Sequence, residues 1–244
     1  MEVLTTTCSS SDVETHLPNA TDVPIISKNS VIAKNGFRAE KVICSQEDVK
    51  QSLELYFNLP IKCLQCIHGK KYDIKIEFEN GSATTLQNKD GKGTGRGCSV
   101  DRRKVDAYND ETLTKLLKTQ CLKQDTEKPI VSSDVSKKVI TMCILGDKEE
   151  YAPKYFTHTK SDKTTGQILS MSICPTETFM AFLHSEVYPV MSIIPPIRTC
   201  VHLSPRIYLQ RKGGGKKDHA PNDIQMKFKF TEALEKLFTQ TMSL

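Results

Sequence analysis

Tryptophan is absent from this chain of 244 residues, and aromatic residues make up only 7% of it. That scarcity, with no interleaving of aromatic and basic residues, argues against the stacking surfaces on which RNA-binding modules display bases. Long apolar runs are missing too. None approaches the ~20 residues needed to span a bilayer, so no membrane partner is expected. The first residues lack a basic segment followed by an apolar core, which argues against a secretory signal. The expected location is therefore cytoplasmic, in a bacterium or inside a virus-infected host cell. The nine cysteines are an odd number without export signals, a poor basis for a disulfide framework. Cys63-Leu64-Gln65-Cys66 has the spacing of half a zinc site, but no second Cys-x-x-Cys or His-x-x-x-His follows. Alternation through Ile61, Cys63, Gln65 and Ile67 reads instead as a strand with cysteine as a small hydrophobe.

What is present describes a globular protein, with 38% hydrophobic and 26% charged residues. Residues 1–27 are rich in Ser, Thr and Asp, carry no period and read as a flexible leader. Residues 28–244 are enough for one domain burying roughly 70–75% of its unfolded surface. Helical spacing is expected around 30–44, broken softly at Asn35-Gly36. Ser45-Gln46-Glu47-Asp48 opens a further helix that stops before Pro60. Helices are also expected over Ser99 to Tyr108, with Ser99 as its N-cap, and over Glu111 to Leu122, Thr176 to Val187 and Glu232 to Thr239. Strands are expected over Lys138 to Leu145, Arg206 to Arg211 and Ile224 to Phe230. The class is α/β.

The sharpest local signal is Asn80-Gly81, a hairpin turn between the runs Lys71 to Glu79 and Ala83 to Lys89. It brings Asp73, Gln87 and Lys89 to one end of a small sheet. A carboxylate and an amide oxygen suit a hard divalent cation, and a lysine beside them can steady water and phosphate. An alternating charged strand face, as in Lys75, Glu77 and Glu79, is the plainer reading. Net charge is only +5. Two stretches nonetheless concentrate cations, Gln87 to Lys104 and Arg198 to Lys229, as a polyanion contact requires. A solvated charged face is the alternative. His68 reads as a turn-capping residue and His184 as a satisfied core or edge residue.

Asn35-Gly36-Phe37-Arg38-Ala39-Glu40-Lys41, Asp73 with Gln87-Asn88-Lys89, and Gln210-Arg211-Lys212-Gly213-Gly214 occur in that order. Together they resemble the PD-(D/E)xK nuclease superfamily, and within it type II restriction endonucleases of the small GCGC-cutting group related to MspI. The resemblance covers 33–40, 72–89 and 204 to about 238. It implies a restriction-endonuclease-like core over 28–244: a central mixed β-sheet flanked by helices, with a C-terminal β-hairpin and short helix. It implies Mg²⁺ held by Asp73, Gln87, the Asn88 backbone carbonyl and Glu40, with Lys89 orienting water and stabilising the transition state. Gln87 stands where Glu is usual, which removes one negative charge from the cation site.

The resemblance further implies base recognition by Gln210, Arg211 and Lys212, with Gly213 and Gly214 allowing close approach and Asn222 and Gln225 completing contacts. Lys216, Lys217, Arg96, Arg102 and Arg103 would meet phosphates. The implied activity is cleavage of double-stranded DNA at a short, four-base GC-rich palindrome, leaving 5′-phosphate ends. The implied partners are a second copy of the chain and a cognate DNA methyltransferase. A non-catalytic DNA-binding module and a DNA-nicking repair nuclease of the same fold are the rival readings.

Overall fold

Val49 and Leu53, one helical turn apart, are fully buried and define the inner face of a helix spanning Glu47–Phe57 (α2). A short helical stretch over 39–45 (α1) precedes it. Asn58 ends α2 in the left-handed conformation at φ 51°, ahead of Pro60. The computed structural model describes residues 39–91, 97–162, 164–192, 199–212 and 223–243. The leader expected over 1–27 lies outside the described residues.

Strands β1 (Ile61–Cys66), β2 (Ile74–Phe78) and β3 (Ala83–Asp90) form an antiparallel meander. The Asn80-Gly81 turn closes it: Gly81 takes φ +83°, and the Asn80 side-chain oxygen accepts the Ser82 N–H at 3.0 Å. Ile74, Ile76, Phe78 and Leu86 point to one face and pack against Ile43, Val49 and Leu53 of the first two helices.

Ser99 to Tyr108 is not a helix. Gly97–Lys104 is a strand (β4) followed by a 3₁₀ turn, Val105–Tyr108. Helix α3 (Glu111–Leu117) starts at Asp110, whose carboxylate accepts the Leu113 N–H at 2.7 Å, and runs on as a wider π turn to Leu122. The two-residue strand β5 (Val131–Ser132) leads into α4 (Ser133–Leu145). Lys138 to Leu145, read from sequence as a strand, belongs to that helix. Its buried residues Val139, Ile140, Cys143 and Ile144 recur at helical spacing, and Gly146 at φ +82° ends it. Two strands the sequence did not announce follow, β6 (Tyr155–Ser161) and β7 (Ile168–Pro175), then α5 (Thr176–Ser185). Strands β8 (Val190–Met191), β9 (Cys200–His202), β10 (Ile207–Arg211) and β11 (Asp223–Lys229) come next. The last helix, α6, covers only Glu232–Glu235; the chain then turns over 236–238 into strand β12 (Thr239–Ser243), where the expected helix would have ended.

The main sheet has the order β1-β2-β3-β6-β7-β12, antiparallel except where β6 runs parallel to β3. It is the expected central mixed sheet flanked by helices, with the late hairpin β10–β11 and a short helix after it. A second sheet, β4-β11-β10-β9, is wholly antiparallel. Phe156 of the main sheet, Phe179 of α5 and Phe228 of the second sheet meet in the larger core. Seven residues of β4 pair with β11, and this long-range ladder overrides the helical spacing of the segment. No helix among the described residues is long and apolar enough to cross a membrane.

Candidate active site

Asp73 stands at the entrance to β2, and its Oδ2 accepts the Asn88 backbone N–H at 2.9 Å. That bond pins the carboxylate to the strand that carries Lys89. Burial pushes the Asp73 carboxyl up, while Lys89, the Asn88 N–H and His68 oppose the rise. Glu40, on α1, joins the same group. Burial first, then repulsion from Asp73, raises its carboxyl to about 7, against the pull of Lys89. Burial lowers the Lys89 ammonium, though Asp73, Cys98 and Glu40 favour its charge. Glu40, Asp73 and Lys89 thus act on one another from three elements: a helix, a strand entrance and a strand end.

Gln87 lies two residues before Lys89, so alternation sends both side chains to one face of β3. Gln87 is buried, and among the described residues its Oε1 has no hydrogen-bond partner. It lines a cavity of about 440 Å³ shared with Lys70, Lys71, Asp101, Arg102 and Tyr151. Asn88 faces the other way, its Oδ1 accepting from Thr157 at 3.0 Å and Thr159 at 3.2 Å. Only its backbone is turned to Asp73.

Among the described residues no group of three or more His, Cys, Asp or Glu side chains is arranged to hold a metal ion. The donors present are nevertheless of the hard-oxygen type that Mg²⁺ takes. Asp73 raises the affinity of Glu40 for its proton, a tension that a bound cation would relieve, and among the described residues a buried amide oxygen, that of Gln87, stands without a partner. Glu40, Asp73 and Gln87 therefore fit such an ion. The half zinc site does not form, because its cysteines, three apart on a strand, diverge. Cys63 faces Glu77 and Cys66 faces Cys44, sulfur to sulfur at 3.1 Å.

The recognition residues divide between two faces of the second sheet. Gln210, Gln225 and Arg102 are direct neighbours across β10, β11 and β4 and share one face. Gln210 accepts from Lys227 at 3.1 Å, and Arg102 pairs with Asp223 at 2.5 Å. Arg211 lies in register with Ile224 on the opposite, buried face, so it does not join Gln210 on a common reading surface. The Lys212 N–H bonds the Asp223 carbonyl at 2.8 Å.

Arg103 also departs from its expected role at phosphates. It bonds Asp101 at 2.6 Å and Asp147 at 3.0 Å, lies over the Tyr108 ring and is 10% exposed. Two carboxylates and a ring already occupy it. Arg96, Gly213, Gly214, Lys216, Lys217 and Asn222 lie outside the described residues. Ser99 sits in β4 opposite Lys227 and caps no helix.

Sequence reading passed over Lys70, Lys71 and Tyr151. The run His68-Gly69-Lys70-Lys71, immediately before Asp73, is the signal that would have found two of them. Lys71 crosses between the sheets to pair with Asp101 and to donate to the Cys143 carbonyl at 3.2 Å. It also bears on the charge of Lys89.

No protein-family model matches the sequence, and no curated protein matches it. Among solved structures the chain is similar to restriction endonuclease MspI in a crystal structure with its cognate DNA. The identity is 14%, the TM-score is 0.42, and 74% of this chain and 77% of that chain are covered. A likeness at that level assigns neither a family nor an activity to this chain.

Proposed function

We propose that the chain is a Mg²⁺-dependent endonuclease that hydrolyses phosphodiester bonds in double-stranded DNA. The observation that carries this reading is the mutual approach of Glu40, Asp73 and Lys89, two carboxylates and an amine with conflicting protonation demands at one sheet end. Such conflicts gather where chemistry is done. When bound, the cation supplies positive charge against the scissile phosphate and acidifies the attacking water. Glu40 and Asp73 would hold it, Gln87 would add a neutral oxygen, and the Asn88 N–H keeps Asp73 in place. Lys89 Nζ orients the water and balances charge that grows on the phosphoryl oxygens. Its weakened hold on a proton also lets it exchange one with that water. The water adds to phosphorus and releases a proton to solvent, the bond from phosphorus to the 3′-oxygen breaks, and that oxygen takes up a proton from solvent, giving 5′-phosphate and 3′-hydroxyl ends.

Type II restriction at a short GC-rich palindrome is the form of this activity we favour. The face carrying Gln210 and Gln225 supports it with amide groups suited to base edges. Digestion of an unmethylated plasmid by the purified chain with Mg²⁺ tests the whole reading. Discrete linear fragments support it, nicked circles indicate a nicking enzyme, and binding without any cleavage overturns catalysis in favour of a DNA-binding module.

A further inference from the structure

Lys70 and Lys148 share one aromatic ring. Their ammonium groups each lie 5.2 Å from the centroid of Tyr151, and Lys70 also donates to the Tyr72 hydroxyl at 3.0 Å. Both border the cavity whose wall includes Gln87. The other cations of that cavity are neutralised: Lys71 by Asp101, and Arg102 by Asp223. Lys70 and Lys148 are not. Among the described residues neither forms an ion pair, although Glu150 is near enough to Lys70 to be felt. Two like charges are thus gathered around one ring at the rim of a formed cavity, an arrangement an anion would stabilise. The attraction of each ammonium to the ring holds it in place.

From this we infer that Lys70 and Lys148 form a second phosphate site, which seats the phosphodiester flanking the scissile one. The inference rests on the duplex-DNA reading above and deepens it. The cavity lies within the size range of nucleotide-scale sites. Gln87 lines the cavity and stands two residues before Lys89 on β3, so a strand entering past Lys70 and Lys148 leads towards that end of β3. Gly69, at φ +79° with open space where a side chain would be, leaves the entrance clear. A phosphate here positions the strand without reading its sequence.

The test is a salt titration of duplex binding by fluorescence anisotropy, for the wild type, Lys70→Gln/Lys148→Gln, and Lys50→Gln on α2, which does not line the cavity. Losing one phosphate contact should reduce the slope of log affinity against log salt by about 0.9 in the double variant. The loss of affinity should be the same on unrelated duplexes, and Lys50→Gln should keep the wild-type slope. A double variant with the wild-type slope overturns the inference. Reductive labelling with pyridoxal phosphate, mapped by mass spectrometry, separates its failure from that of the parent reading. Labelling concentrated on Lys70 and Lys148 and blocked by inorganic pyrophosphate upholds the anion site even if no duplex binds. Labelling spread evenly over surface lysines, whatever the duplex does, removes it.

Discussion

Asp101 and Asp73 are both shielded carboxylates facing a lysine, and the protein treats them in opposite ways. Burial alone would push Asp101 up, but the Arg103 guanidinium and the Lys71 ammonium hold its carboxyl below the usual range. Each of those cations has further partners: Asp147 for Arg103 and the Cys143 carbonyl for Lys71. Asp73 has one lysine, one backbone N–H and the more weakly felt His68 to set against burial, and a second carboxylate, Glu40, beside it. Its carboxyl rises. The two clusters share burial and differ in compensation. A compensated cluster holds β4, α4 and the loop before β2 together. An uncompensated one is stabilised only by something that arrives, which is what distinguishes a site from a staple.

The comparison breaks most sharply on removing one acid from each cluster. Asp73→Ala should cut DNA cleavage by at least about 10³-fold while duplex binding persists, because the cation that would oppose charge on the phosphoryl oxygens loses a carboxylate ligand. Its unfolding midpoint in urea should fall less than that of Asp101→Ala, since the buried charge removed is only partly compensated. Asp101→Ala should behave in reverse. It strands Lys71 and Arg103 without their shared partner, and removing one side of a buried pair costs about 3–5 kcal/mol. If both variants lose equal stability, the distinction between the clusters fails. Should Asp73→Ala cut at the wild-type rate, the catalytic assignment fails with it.

A smaller effect probes how firmly the Lys89 end of β3 is held. Lys89 is in register with His158 on β6, and two residues on the Gly91 N–H bonds the Thr159 carbonyl at 2.6 Å. A Cβ at Gly91 would collide with the His158 ring, which cannot swing away because it stacks on Phe230 at 3.9 Å. Gly91→Ala should therefore lower stability by about 1–3 kcal/mol, the range for overpacking a filled core. His158→Ala in the same chain should recover part of the loss. Additive losses would mean the two residues do not compete for space.

How much of this could be read from the residues follows from where their partners lie. The hairpin was legible because Asn80-Gly81 carries its own turn geometry, and α2 because Val49 and Leu53 keep helical spacing within one segment. Strand β6 was not. Its central residues, Thr157, His158 and Thr159, are polar and yet buried, satisfied by Asn88 from another strand and by stacking on Phe230. Their hydrogen bonds conceal the apolar signature a central strand normally shows. Asp73, Gln87 and Lys89 could be picked out together because one hairpin delivers them. The split of Arg102, Arg103 and Arg211 over two faces could not, because a basic run does not announce the carboxylates waiting for it. Asp147 and Asp223 lie 44 and 121 residues from the arginines they bind. Lys70 was hidden for the same reason: it meets Lys148 and Tyr151 only once α4 ends beside the loop before β2.

The finest test of the contrast is the pH response of Glu40. Its carboxyl is raised from the ordinary 4.5 to about 7 in the fold, so between those values the folded protein holds a proton that the unfolded chain has released. Stability tied to Glu40 is therefore complete below pH about 4.5 and is lost as pH rises through about 7. Asp101 works the other way, contributing stability that disappears only as pH falls below its ordinary value of 3.8. The two clusters consequently act in separate windows. Melting temperatures from pH 4.5 to 7.5 should decline more steeply in the wild type than in Glu40→Gln. Saturating Mg²⁺ should flatten the wild-type decline by taking the proton's place, and Mg²⁺ affinity should rise with pH through about 7. In Glu40→Gln that rise should be blunted. Superimposable curves for the two proteins would show that Glu40 does not feel Asp73 as its position requires, and the uncompensated pair would then be no pair at all.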